Sequence, residues 1–291
     1  MRNATRVVAS VREALRNLNP HEVRESAQRP FQFELHASSA RMYEQMENFF
    51  APAHTFSDAR RAGVSHLVRR DASPSTPNHT VLHVYEKGLP QDAGAGFTYD
   101  TMNPDGVVRD ILERHSDLKL SLARQVCPFR EPVAKELIWT VSKENALFSL
   151  ATAVPSVVPL ISIPWAVGEF ASDTAVLTAN QIRMAFMLAA ASDRTVGYKE
   201  QRAEIASLFA GAFGWRAIAR ELVGKIPFGG GIVPKAAVAF AATYVIGASL
   251  ERFYRVGYGF TPEERKQAYQ QAIERGKEIA ASLMRSDKGV K

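Results

Sequence analysis

From Asn145 to Gly168 the chain runs NALFSLATAVPSVVPLISIPWAVG without a single charge. A second stretch, 232–250, is apolar apart from Lys235, Thr243, Tyr244 and Ser249. Segments of this kind have two homes: a bilayer, whose core takes about 20 apolar residues as a helix, or the interior of a helical bundle. Pro155, Pro159 and Pro164 interrupt the first stretch. Each removes a backbone donor that hydrocarbon cannot replace, which favours a core segment or a re-entrant hairpin over a straight span. In the second stretch Lys235 would cost about 2.5–3.5 kcal/mol at mid-bilayer, but it lies near the end and can snorkel. Its alanines and Gly247 let helices approach closely.

The rest of the chain is distributed unevenly about these segments. All seven histidines lie at or before His115, and the uncharged stretches follow Glu144. Two parts are expected, 1–129 and 130–291, and the overall class is α+β: a small, reduced α/β domain followed by an all-helical domain. In the first part Val8, Val11, Leu15 and Leu18 recur at helical steps before Asn19-Pro20 ends the helix. A short polar helix is expected over 21–28. Phe31, Phe33 and Leu35 alternate with Gln32, Glu34 and His36, the pattern of a half-buried strand. Ser38 or Ser39 caps the next helix, which Pro52 stops. Further strands are expected at 65–69 and 80–86, with SPSTPN at 73–78 turning between them. Residues 88–96 read as loop, 104–114 as helix and 118–123 as a closing strand.

In the second part helices are expected from about 130 to 146, 169 to 191, from 197 onward, and over 232–250. The region Gly211 to Gly214 bends the third before 215–222 continues it, and Gly229-Gly230-Gly231 makes a break. The last helix is the best signalled: Thr261 at the N-cap, Pro262 at the first helical position and Glu264 completing a capping box.

This second part resembles the helical domain of unknown function that follows Era-type GTPase domains in YcjF-like bacterial membrane proteins. The residues that carry the likeness are Glu136-Leu137-Ile138, Glu144-Asn145-Ala146, Ala153-Val154-Pro155, Ala171-Ser172-Asp173, Asn180-Gln181-Ile182-Arg183-Met184 and Lys225-Ile226-Pro227, in that order. The likeness covers about 130–258. It implies a membrane protein or a partner of a GTPase module, with no catalytic residues assigned to the helical domain. The first part then occupies the GTPase position. A working P-loop needs GxxxxGK[ST], whose glycines let backbone N–H groups wrap the phosphates. The corresponding residues here, His36-Ala37-Ser38-Ser39-Ala40-Arg41-Met42, hold no glycine and no lysine. No Asn-Lys-x-Asp tetrapeptide for guanine appears, so GTP hydrolysis is not expected.

Other constellations are weaker. His79 and His83 on a strand stand about 13 Å apart and cannot share one ion, though His66 on a neighbouring strand could join one of them. No metal site and no cofactor are expected. Cys127, the lone cysteine, reads as a structural thiol. There is no Gly-x-Ser-x-Gly elbow, and Gly94-Ala95-Gly96 lacks the third glycine of a dinucleotide fingerprint. Asn3-Ala4-Thr5 and Asn78-His79-Thr80 match the glycosylation sequon by chance in a cytosolic reading, and the charged N-terminal segment lacks the apolar core of a signal peptide. With 36 basic and 30 acidic residues interspersed, the surface is mildly basic. It carries no stripe of the kind that binds nucleic acid. Asp173, Asn180, Gln181 and Arg183 are polar positions in an otherwise apolar helix. Either they hydrogen-bond to neighbouring helices and fix packing, or they form a contact surface for a GTPase or partner chain.

The expected function is therefore a non-catalytic, membrane-associated scaffold or regulator at the cytoplasmic face, with no small-molecule substrate. The alternatives are a divergent nucleotide hydrolase and a soluble helical oligomerisation module.

Overall fold

The structure, a computed structural model, describes residues 18–52, 66–69, 80–91, 96–153, 173–206 and 232–286. Most of the expected first helix (residues up to 17), the 73–78 turn, the proline-bearing 154–168, the helix expected from 197 beyond residue 206 with its 215–222 continuation, and the glycine break fall outside the described residues. Those described form α1 (Pro20–Ala27), β1 (Phe31–His36), α2 (Ala40–Phe50), β2 (Leu67–Arg69), β3 (Thr80–Glu86), β4 (Phe97–Tyr99) and α3 (Asp105–Arg114). A 3-10 turn (Ser116–Leu118) leads into α4 (Lys119–Gln125), α5 (Cys127–Ala153), α6 (Asp173–Ala191), α7 (Ile232–Val256) and α8 (Pro262–Ser286). The fold is α+β, a small parallel sheet with its helices followed by a helical region. It divides into an α/β unit, Glu22–Ala134 with Ala190–Thr195, and a helical unit, Lys135–Ala189 and Val196–Lys291 with Met1–His21. The division falls inside the continuous helix α5.

In the α/β unit the sheet has the order β2-β1-β3-β4 with every pair parallel. Period-two alternation sorts the two faces. Phe31, Phe33 and Leu35 of β1 lie beside Leu82 and Val84 of β3 on one buried face. There Phe33 stacks on Phe50 of α2 at 4.7 Å and on Phe129 of α5 at 6.2 Å. The other face carries Gln32, Glu34 and His36 beside Val81, His83 and Tyr85. A parallel sheet covered on both sides is normally apolar on both, so this polar face is where the unit departs from pure packing.

One local expectation is corrected. Residues 118–123 are not a closing strand: Ser116–Leu118 is a 3-10 turn and Lys119–Gln125 a helix. Leu118, Leu120 and Leu122 alternate as a strand would, but Ser121 between the last two and Ala123 after them are buried as well. A helix enclosed on most sides erases the polar half of its own period, and Ser121 Oγ is free to donate to the Arg29 carbonyl at 2.5 Å. The last strand is instead β4, whose three residues are too few to show any alternation.

In the helical unit α7 lies along α8, burying Ala237, Ala241 and Val245 against Tyr269, Ala272 and Ile273. A second cluster joins Ala146 and Leu150 of α5, Ala236 and Phe240 of α7, and Ala280 of α8. The capping box forms as expected. Thr261 N–H donates to Glu264 Oε2 at 2.9 Å, and Glu264 N–H donates to Thr261 Oγ1 at 3.2 Å.

Candidate functional site

From β1 the chain passes to β2 on one side and then to β3 on the other, so the strand order reverses between β1 and β3. In open parallel sheets ligands bind outside the carboxyl ends of the strands at such a reversal. Here β1 ends at His36 and β3 at Glu86. The loop 37–39 leads into α2, and Ser39 caps it by accepting the Met42 N–H at 3.2 Å. Ser38 N–H donates to Glu86 Oε2 at 2.7 Å, and hydrogen bonding from the Ser38 side chain first and its amide second holds the Glu86 carboxyl below its ordinary range. A phosphate at this point would need that same amide and would meet a carboxylate already on it. Arg41, the other cation of the loop region, is exposed on α2.

The polar face just inside this end gathers Glu34, His36 and His83. Glu34 and His36 are two residues apart on β1 and share a face, and the parallel register sets His83 directly beside Glu34 and Tyr85 beside His36. His36 Nε2 lies 3.3 Å from His83 Nδ1 and 3.3 Å from Glu34 Oε1, while His83 Nδ1 lies 3.7 Å from Glu34 Oε2. The Tyr85 ring stacks on the His36 imidazole at 4.1 Å and 7°. His36 is buried, and Glu34 and His83 are partly open. Two imidazole nitrogens and a carboxylate at these distances can share protons or hold a cation.

Sequence reasoning singled out His83 beside His79 and His66. His79 lies outside the described residues. His66 does not join His83: its Nδ1 meets the Phe31 carbonyl at 2.8 Å, its Nε2 meets Gln125 Oε1, and its ring stacks on Phe31 at 4.7 Å. The partners of His83 come from β1, and only the strand register reveals them. The alternation that made Glu34 and His36 the polar side of β1 was the available signal.

The polar residues of α6 have separate fates. Asn180 Nδ2 donates to Asn145 Oδ1 of α5 at 2.6 Å, Asn145 Nδ2 donates to Thr243 Oγ1 of α7 at 2.8 Å, and Gln181 Nε2 reaches the same hydroxyl at 3.2 Å. All four side chains are buried. Arg183 pairs instead with Glu144 of α5, whose carboxyl burial raises even though the guanidinium pulls it down. Asp173 opens α6. Cys127 opens α5, half-buried. Among the described residues one helix, Lys235–Val256 within α7, is long and apolar enough to cross a membrane, and half of its most apolar window is buried. Compared with protein families, with curated proteins and with solved structures, the chain has no match.

Proposed function

We propose that this chain is a non-catalytic scaffold or regulator that associates with the cytoplasmic face of a membrane through its helical unit, and there engages a GTPase module or a second copy of itself. The observation that carries the reading is α7. It is apolar enough to enter a bilayer, and half of that apolar window is buried. Val238, Ala242, Ile246 and Ser249, at steps of four, four and three, are among its half-buried residues, and Val238 and Ala242 pack against the core that α7 shares with α8. The uncharged 154–168 follows α5 in the sequence and adds apolar length. A nucleotide hydrolase is disfavoured because the β1–α2 loop has neither glycine nor lysine, and the Ser38 amide is engaged by Glu86.

Flotation of the full chain with vesicles of phosphatidylcholine, with and without phosphatidylglycerol, tests the proposal. The protein is expected to rise with the vesicles and to resist alkaline extraction. Recovery of all the protein in the soluble fraction under both conditions would overturn it. The buried half of α7 favours a second reading, a soluble oligomerisation module. That reading predicts a monodisperse assembly without detergent and no flotation.

A further inference from the structure

We propose that Glu34, His36 and His83 form a divalent transition-metal site, of the zinc class, on the polar face of the sheet. The site stands apart from the membrane reading and rests on the geometry of three side chains.

A four-coordinate zinc with bonds of about 2.0–2.1 Å to nitrogen and oxygen has ligand-to-ligand edges of roughly 3.3–3.4 Å. His36 Nε2 lies 3.3 Å from His83 Nδ1 and 3.3 Å from Glu34 Oε1, and the other carboxylate oxygen, Oε2, lies 3.7 Å from His83 Nδ1. One ligand atom from each residue lies within 4.8 Å of the others. A turn of the carboxylate about its own bond would bring one oxygen toward both imidazole nitrogens. Two imidazoles and one carboxylate are the donor set of open zinc sites and of the facial triad that holds ferrous iron. Hard, oxygen-preferring magnesium and calcium are poorly served by two nitrogens.

The scaffold supports the ligands as metal sites require. All three ride on adjacent strands whose parallel register is continuous from Phe31 to His36, so their backbone positions are set by the sheet. The Tyr85 ring, itself buried, lies flat on the His36 imidazole and sets its plane. Gly96 lies against that ring so closely that a Cβ there would collide with it. His83 and Glu34 are partly exposed, which gives a cation a path in and leaves a fourth position toward solvent. The bland alternative is a proton-sharing cluster with no taste for metals.

Titration of the metal-free full chain with Zn2+, and separately with Co2+, decides. The expected result is saturable binding of one ion per chain at micromolar concentration or tighter. A rise in melting temperature should accompany it, with the intense visible absorption of four-coordinate Co2+. His83→Ala and Glu34→Gln should each weaken binding roughly tenfold or more, while His21→Ala, on an exposed helix, should leave it unchanged. The Co2+ spectrum of the unaltered protein carries the test even where a variant folds poorly. Absence of saturable binding, a weak six-coordinate Co2+ spectrum, or undiminished affinity in folded His83→Ala and Glu34→Gln would overturn the proposal.

Discussion

Tyr85 shows what a single side chain does in this fold. Its ring is pinned between the His36 imidazole and Gly96, where there is no room for a methyl group. Gly96→Ala is therefore expected to push the ring off His36 and to destabilise the unit by about 1–3 kcal/mol, the usual range for forced overpacking. A urea midpoint equal to that of the parent would contradict this. Glu144 makes a different residue-scale prediction. Burial sets its carboxyl above the ordinary value, so the folded chain holds this proton to higher pH than the unfolded chain does. Stability then falls as pH rises from the ordinary glutamate range to the raised value. Glu144→Gln removes the titration and should flatten that fall, measured as denaturation midpoints across the acid range. Neither effect was legible in the sequence. Gly96 stood in a loop with nothing to say what faced it, and Glu144 and Arg183 are 39 residues apart.

At the scale of elements, legibility followed how much of the signal was local. The Thr261–Glu264 box lies within four residues of chain, and α8 begins where it says. Thr261→Ala should cost about 1 kcal/mol, the usual worth of an N-cap hydroxyl, seen as a lower urea midpoint at unchanged slope. Residues 118–123 were misread because five residues of leucine alternation fit either period once the helix is enclosed. The pairing of α7 with α8 was also hidden, since it depends on where one small residue meets another. A Cβ on Gly276 would lie 2.7 Å from the Ala237 carbonyl oxygen and 2.9 Å from its Cα. Alanine gains about 1 kcal/mol of helix propensity over glycine, but here two backbones must separate, which costs roughly 1–3 kcal/mol. At Gly247 the neighbours are Ile138 Cγ1 at 2.8 Å and Met184 Sδ at 2.9 Å, side-chain ends that can turn aside. Gly276→Ala should therefore destabilise and Gly247→Ala should do so less or not at all. The reverse order in thermal melts would refute the close approach of α7 and α8.

At the scale of the molecule the asymmetry of histidines and uncharged stretches foretold an α+β chain with its helices last, because composition integrates over long segments and needs no register. It also announced that polar groups inside apolar helices would need partners, without saying which. Asn145 and Thr243 are 98 residues apart, and they meet with Asn180 and Gln181 in one buried layer across α5, α6 and α7. That layer answers to the same physics in a bilayer and in a water-soluble core, since neither offers free water to an orphaned amide. Asn145→Ala takes away the acceptor of Asn180 and a donor to Thr243, at roughly 1–3 kcal/mol for each group left unsatisfied. Replacing all four residues with apolar side chains of similar volume removes every orphan at once. The quadruple variant should accordingly recover most of the stability lost in the single one, a strongly non-additive result. It should also broaden the amide resonances of α5–α7, because the layer fixes part of their axial alignment. Stability that falls additively across the four substitutions would show the layer to be four separate contacts, and the helical unit to take its register from apolar packing alone.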